Sequence, residues 1–242
     1  MRTFLWGALP YIAVALLVSG LVWRYRYDRF GWTTRSSESY ESKILTIASP
    51  VFHYGILFVL VGHLMGLLVP KSWTDSVGVG EHAYHLLSLF AGTAAGVLTL
   101  LGIAALIYRR RTNRAVFRAT TRNDKLMYVV LAAAIAFGMI AKLAHSSISS
   151  GYNYRDTIAV WVRSLFYLQP KTALMADAPT LYQIHAVIGL VLFALIPFTR
   201  LVHMFSAPIQ YVFRPYIVYR ARDPRNVGVR AERRGWEKVG PR

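Results

Sequence analysis

The chain contains no cysteine, which excludes disulfides, cysteine-ligated iron–sulfur clusters and covalent haem attachment through a C-x-x-C-H motif. Charge is scarce as well: 16% of residues are Asp, Glu, Lys or Arg against 55% hydrophobic, and acids number 11 against 28 basic residues. With a mean hydropathy of +0.37, such a composition excludes an ordinary soluble domain and fits a chain that crosses a bilayer several times. The net charge of +17 would suit nucleic acid if it coated one face. Its Lys and Arg instead gather in short segments beside apolar runs, the pattern of membrane loops, so no nucleic-acid partner is expected. The first apolar run is of full spanning length and reads as a span, not a cleaved leader.

Five runs have the ~20 residues needed to cross a ~30 Å hydrocarbon layer. They cover about residues 4–23, 49–70, 83–108, 126–144 and 181–205, and predict an all-α integral membrane bundle of five transmembrane helices. Pro10 lies near the start of the first, with Trp6, Tyr11 and Trp23 expected as interface anchors. Gly92, Ala95, Gly96 and Gly102 on the third should let neighbouring helices approach closely. Positive charge concentrates in alternate segments, 24–43, 109–125 and 214–242. The positive-inside rule therefore sets the N-terminus outside and the C-terminus in the cytoplasm. Residues 1–213 form the membrane domain and 214–242 a basic cytoplasmic tail. The 36-residue connection from His145 to Thr180 is too long for a bare loop. Within it, apolar residues at helical spacing predict a helix over 155–168, which either lies on the membrane surface or packs over the end of the bundle.

Histidine is what the apolar runs should not contain, and two of them carry two each. Ionisable groups at membrane depth are expensive and signal function. His53 and His63 are ten residues apart, about 15 Å of rise. His185 and His203 are eighteen apart, about 27 Å and five whole turns. The second and fifth spans run antiparallel in a five-span chain, so His53 meets His203 near the cytoplasmic side and His63 meets His185 near the outside. The mismatch of about 12 Å calls for tilt and a kink, which Pro197 is placed to supply. Imidazoles facing across a gap suit low-spin haem iron, since two axial nitrogens saturate it and favour electron transfer. Gly55, Gly62, Gly66 and Gly189 leave room for a porphyrin edge. Zinc would want further ligands, which these spans lack. Arg200, three residues before His203, could meet a haem propionate or snorkel to lipid phosphate.

These residues resemble a known family, the gamma or cytochrome b subunit of respiratory nitrate reductase. The similarity covers nearly all of residues 9–222 and includes Pro10-Tyr-Ile, Arg24-Tyr, Phe52-His53, Val61-Gly-His63, Arg118-Ala-Thr-Thr121, His185, Pro197-Phe-Thr-Arg-Leu-Val-His203, Ser206-Ala-Pro208 and Tyr219-Arg-Ala-Arg222. The resemblance implies a multi-pass protein of the bacterial cytoplasmic (inner) membrane with two stacked b haems, His63 and His185 holding the distal one and His53 and His203 the proximal one. It also implies an external quinol site. There the family has a lysine before its third span, where this chain reads Glu81-His-Ala-Tyr-His85, so His82, Tyr84 or His85 is expected to take over hydrogen bonding to the quinol.

The function expected is quinol oxidation at the outer face, with protons released outside through His82 or His85 and electrons passed inward. The resemblance assigns nitrate chemistry to cytoplasmic partners, an iron–sulfur beta subunit and a molybdenum-containing alpha subunit. Segment 109–125 and the tail would form part of their docking surface, or simply bind anionic lipid. Two rivals stand beside this reading: a di-haem quinone-linked subunit of a sulfite- or heterodisulfide-reducing complex, and a haem-free anchor whose histidines conduct protons.

Overall fold

The computed structural model describes residues 1–145 and 151–206. One compact unit runs from Met1 to Phe205. The tail, the boundary near 213 and the motifs at 206–208 and 219–222 lie wholly or partly outside the described residues.

Among the described residues the structure is helical throughout. A π-helical turn, Phe4–Ala8, leads into α1 (Leu9–Tyr27). Then come α2 (Lys43–Leu68), the short α3 (Lys71–Ser76), α4 (Glu81–Thr112), α5 (Arg114–Arg118) and α6 (Arg122–His145). The long connection forms α7 (Ile158–Phe166) and α8 (Thr172–Ala176) before α9 (Thr180–Leu195). Five helical stretches are long and apolar enough to cross a membrane: Phe4–Tyr27, Lys43–Leu68, Glu81–Thr112, Arg122–His145 and Thr180–Phe198. Helices are what such a chain must form, because lipid offers no partner for an unpaired backbone amide. The first four extend past the apolar runs into their basic or polar flanks, since a helix need not stop where hydrophobicity does. Phe58, Leu101 and Val129 stand more than half exposed, a liability in water and a solvated surface in lipid.

Small residues bring the helices together. A Cβ on Gly102 would lie 2.5 Å from the Phe52 backbone, and one on Gly55 2.7 Å from the Thr99 amide nitrogen. The α2 and α4 backbones therefore touch at both places, and alanine at either would push them apart. At one end of this pair Arg109, almost wholly buried, binds the Ser37 hydroxyl and carbonyl and pairs with the Glu41 carboxylate. That interaction ties residues 37–41 to α4. Glu41 also accepts from the Ile44 amide at 2.7 Å, capping the first turn of α2. The Ile44 amide, with the Arg109 guanidinium behind it, holds the Glu41 carboxyl below the ordinary carboxylate range.

At the other end, α7 packs across the bundle with Ile158, Ala159 and Trp161 buried, so the packing alternative is the one observed. Trp6, expected at the interface, is part of this core. Its ring meets Trp161 edge-on at 5.8 Å, and its carbonyl accepts from the Trp161 indole at 2.8 Å. Burying two indoles against each other removes more apolar area than an interface position would. The Tyr11 hydroxyl donates to the Leu165 carbonyl at 2.9 Å, while Trp23 remains about half exposed.

The fifth span departs most from expectation. Helix α9 stops at Leu195, a single 3-10 turn covers Ile196–Phe198, Thr199 is extended (φ −120°, ψ 178°), and a second 3-10 segment runs Arg200–Ser206. Pro197 has no amide to donate and disfavours helix in the residue before it. The result is a break, not a kink, and the five-turn rise assumed between His185 and His203 does not apply.

Candidate functional site

His53 and His203 face each other with ring centres 6.1 Å apart, and His63 and His185 with centres 6.0 Å apart. Metal–imidazole bonds of about 2.0–2.1 Å, added to the half-width of the ring, set two trans imidazole centres about 6.3 Å apart. Both pairs fit an atom between them.

The ring nitrogens are oriented alike in all four. Nδ1 lies 2.7 Å from the Ser49 carbonyl in His53, 2.8 Å from Val59 in His63, 3.0 Å from Ala134 in His185 and 2.5 Å from Arg200 in His203. A carbonyl can only accept, so each Nδ1 carries the hydrogen and each Nε2 keeps its lone pair for a ligand. In His53 and His63 the acceptor is four residues back on the same helix. For His185 it is on α6, where Gly138 makes the approach possible: a Cβ there would sit 2.8 Å from His185 Cε1.

Among the described residues no group of three or more His, Asp or Glu side chains converges. Two imidazoles in each pair would suit a planar macrocycle, which would supply the remaining nitrogens to its own iron. Space for its edge is uneven. A Cβ on Gly62 or Gly189 would meet nothing within 4 Å, whereas Gly55 is filled by Thr99 and Gly66 by the Tyr154 hydroxyl. Gly62 and Gly189 leave open space, whereas Gly55 and Gly66 serve packing. The residues present thus fit a haem at each pair.

Arg200, expected at a haem propionate or at lipid phosphate, is engaged by a carboxylate of this chain. Its Nε and a terminal nitrogen fork onto Asp124 at 2.9 and 2.8 Å. Asp124 is almost fully buried and needs that counter-charge. Asp124 also accepts from the Thr121 amide while its own amide donates to the Thr121 hydroxyl, a reciprocal cap on α6.

At the same end of the bundle as His63 and His185, a cleft of about 350 Å³ is lined by His82, Tyr84, His85, Ser88, Tyr152 and Arg155, among others. The three residues expected at a quinol site therefore share one cavity. Tyr84 is nearly buried beneath the Arg155 guanidinium, 3.9 Å from its ring centre. Arg155 also bonds Glu81 at 3.2 Å and Thr74 at 3.0 Å, leaving its buried Nε without a partner. Aromatic residues of the cleft reach the helices that carry His63 and His185. Tyr152 stacks at 5.4 Å on Tyr182, one turn before His185, and Tyr154 covers Gly66, one turn after His63.

Arg155, Lys142 and Gly138 gave no signal in sequence. Lys142 donates to the carbonyl of cleft-lining Ser88 at 2.7 Å, a placement no spacing rule predicts. Asp124 had a legible one in the Thr-x-x-Asp capping pattern.

Fold and site together define a class: a five-span membrane bundle in which the second span meets the fifth, and the segment just beyond it, through two pairs of imidazoles. The chain belongs to the nitrate reductase gamma subunit family, whose model matches residues 2–222. It is 40% identical over 218 residues to the nitrate reductase gamma chain of Bacillus subtilis, covering 90% of this chain and 97% of that one. It is 32% identical over 223 residues to the respiratory nitrate reductase 1 gamma chain of Escherichia coli, at 92% and 98% coverage. The nitrate reductase-like protein NarX of Mycobacterium tuberculosis is 56% identical over 237 residues, 98% of this chain but 36% of that protein. The chain thus spans about a third of that relative's length.

Proposed function

We propose that this chain is the membrane cytochrome b subunit of a nitrate reductase, oxidising quinol at one face of the bacterial cytoplasmic membrane and delivering electrons toward the other. The observation that carries this reading is the two imidazole pairs, 6.0 and 6.1 Å between centres, with every Nδ1 on a backbone carbonyl. His63 and His185 are the ligands of the distal haem, His53 and His203 those of the proximal one. The charge of the basic segments 24–43 and 109–125 supports a cytoplasmic side for the proximal pair.

Haem b bound at each pair supplies a one-electron carrier at each depth. The cleft beside His63 and His185 holds the quinol, with Tyr84 and Arg155 hydrogen-bonding its oxygens. His82 and His85 accept the two hydroxyl protons and pass them to water outside as quinol becomes quinone and gives up two electrons. Protons left outside and electrons drawn inside charge the membrane, about 2.3 kcal/mol per elementary charge at 100 mV. Nitrate reduction belongs to cytoplasmic partners, an iron–sulfur beta subunit and a molybdenum-containing alpha subunit. The relatives named nitrate reductase gamma chains favour this partnership over a sulfite- or heterodisulfide-reducing one.

An optical redox titration of the complex purified with its partner subunits tests the reading. Two b-type components are expected, one of them lost in His63→Ala. A spectrum without any b-type band refutes it.

A further inference from the structure

His203 owes its position to a chain that is no longer α-helical, and something outside that chain must hold it. A continuing helix would have used the carbonyls of Pro197 and Phe198 as acceptors for amides three or four residues on. The break takes those amides away and leaves two buried or half-buried carbonyls to be satisfied.

Two neighbouring helices supply the donors. Arg24 on α1 donates its Nε to the Pro197 carbonyl at 2.9 Å, and Asn123 on α6 donates its side-chain amide to the Phe198 carbonyl at 2.5 Å. Arg24 is 6% exposed and is itself steadied by Asp28. One turn before it, on the same face of α1, stands Gly20, whose Cβ would lie 2.7 Å from the Pro197 ring. Gly20 and Arg24 therefore grip the proline together, one by absence of a side chain and one by a hydrogen bond. On the far side of Thr199, the next residue in the chain is Arg200, forked onto Asp124. The carbonyl of that same Arg200 receives the His203 Nδ1 hydrogen. A connected path thus runs from the buried carboxylate of Asp124 through Arg200 to the imidazole.

We propose that Arg24 and Asn123, with the Asp124–Arg200 fork, form a clamp on the break that sets the height and tautomer of His203. The clamp thereby governs retention and potential of the haem held by His53 and His203, and of that haem alone. Arg24 and Asn123 are positioning residues, since neither touches the imidazole. The proposal rests on the reading of His53 and His203 as an axial pair.

The test uses the whole complex, purified with its partner subunits in detergent, and an optical redox titration that resolves the b components. His203→Ala first identifies the component that depends on the break. In Arg24→Ala that same component is expected to lose occupancy, or to shift its oxidised-to-reduced ratio about tenfold, which is about 59 mV for a one-electron couple. The other component stays at its wild-type midpoint. Asn123→Ala moves the same component by less, and Arg24→Lys restores part of the shift, because an ammonium can reach the carbonyl but cannot also fork onto Asp28. Wild-type occupancy and midpoints in both alanine variants overturn the clamp. So does loss of both components together, since a device specific to His203 must spare the outer pair. Failure of the axial-pair reading looks different: His203→Ala then removes no component.

Discussion

Gly138→Ala is the sharpest perturbation of the His63–His185 pair, because it adds one methyl group on a helix that carries no histidine of either pair. The new Cβ would lie 2.8 Å from His185 Cε1, 3.1 Å from its Nδ1 and 3.4 Å from its Nε2. Carbon–carbon contacts settle at about 3.5–4.0 Å, so the ring must retreat by up to about 1 Å. A working metal site tolerates about 0.5 Å. The retreat also stretches the 3.0 Å bond from Nδ1 to Ala134 that sets the tautomer. Overpacking by one methyl costs about 1–3 kcal/mol, equivalent to about 5- to 150-fold weaker retention of the group held by His63 and His185. The assay is transfer of haem from the purified complex to an excess of apo-globin, followed optically, with a redox titration of what remains. One component should leave about 5- to 150-fold faster while the component lost in His203→Ala stays. Wild-type transfer rates and unchanged midpoints in Gly138→Ala would refute the geometry assigned to His185.

Gly62→Leu and Gly189→Leu meet no protein atom near the Cβ, so a bundle that holds no macrocycle should tolerate them. Lowered haem content with an unchanged thermal unfolding profile is expected, and full haem content would remove the macrocycle from those gaps. Arg155→Gln strips the cation from Tyr84 and Glu81. A hydrogen bond to a charged group contributes about 1.5–3 kcal/mol, so a rise of at least tenfold in KM for a soluble quinol analogue is expected, with both b components intact. An unchanged KM would place quinol elsewhere. Below the ordinary carboxylate range, acid should loosen the 37–41 segment. The Glu41 carboxyl is held low when folded, so its contribution is complete above the unfolded value near 4.5 and drains away as pH falls through the lower folded one. Protection of the Ile44 amide, the intrinsic exchange rate at each pH divided by the observed one, should fall on acidification in the wild type and be low at all pH values in Glu41→Gln. A flat wild-type profile would contradict the assignment.

Hydropathy alone determined the five spans, because in lipid every backbone group must be satisfied locally and an apolar run of sufficient length has no fold open to it but a helix. The same sequence also determined which histidines could meet: chain direction through five spans pairs His53 with His203 and His63 with His185, whatever the details of packing. Tertiary structure alone decided how they meet. Straight-helix arithmetic left about 12 Å unexplained, and the chain departs from that arithmetic at Pro197 and Thr199, where the helix is given up and Gly20, Arg24 and Asn123, from two other helices, meet the break. Arg200 was legible as a cation near His203 but not as the partner of Asp124, seventy-six residues away. The same limit hid Gly138, Lys142 and Arg155. Periodicity reports which face of a helix is buried, while the identity of the atom pressed against that face is a property of the neighbouring helix.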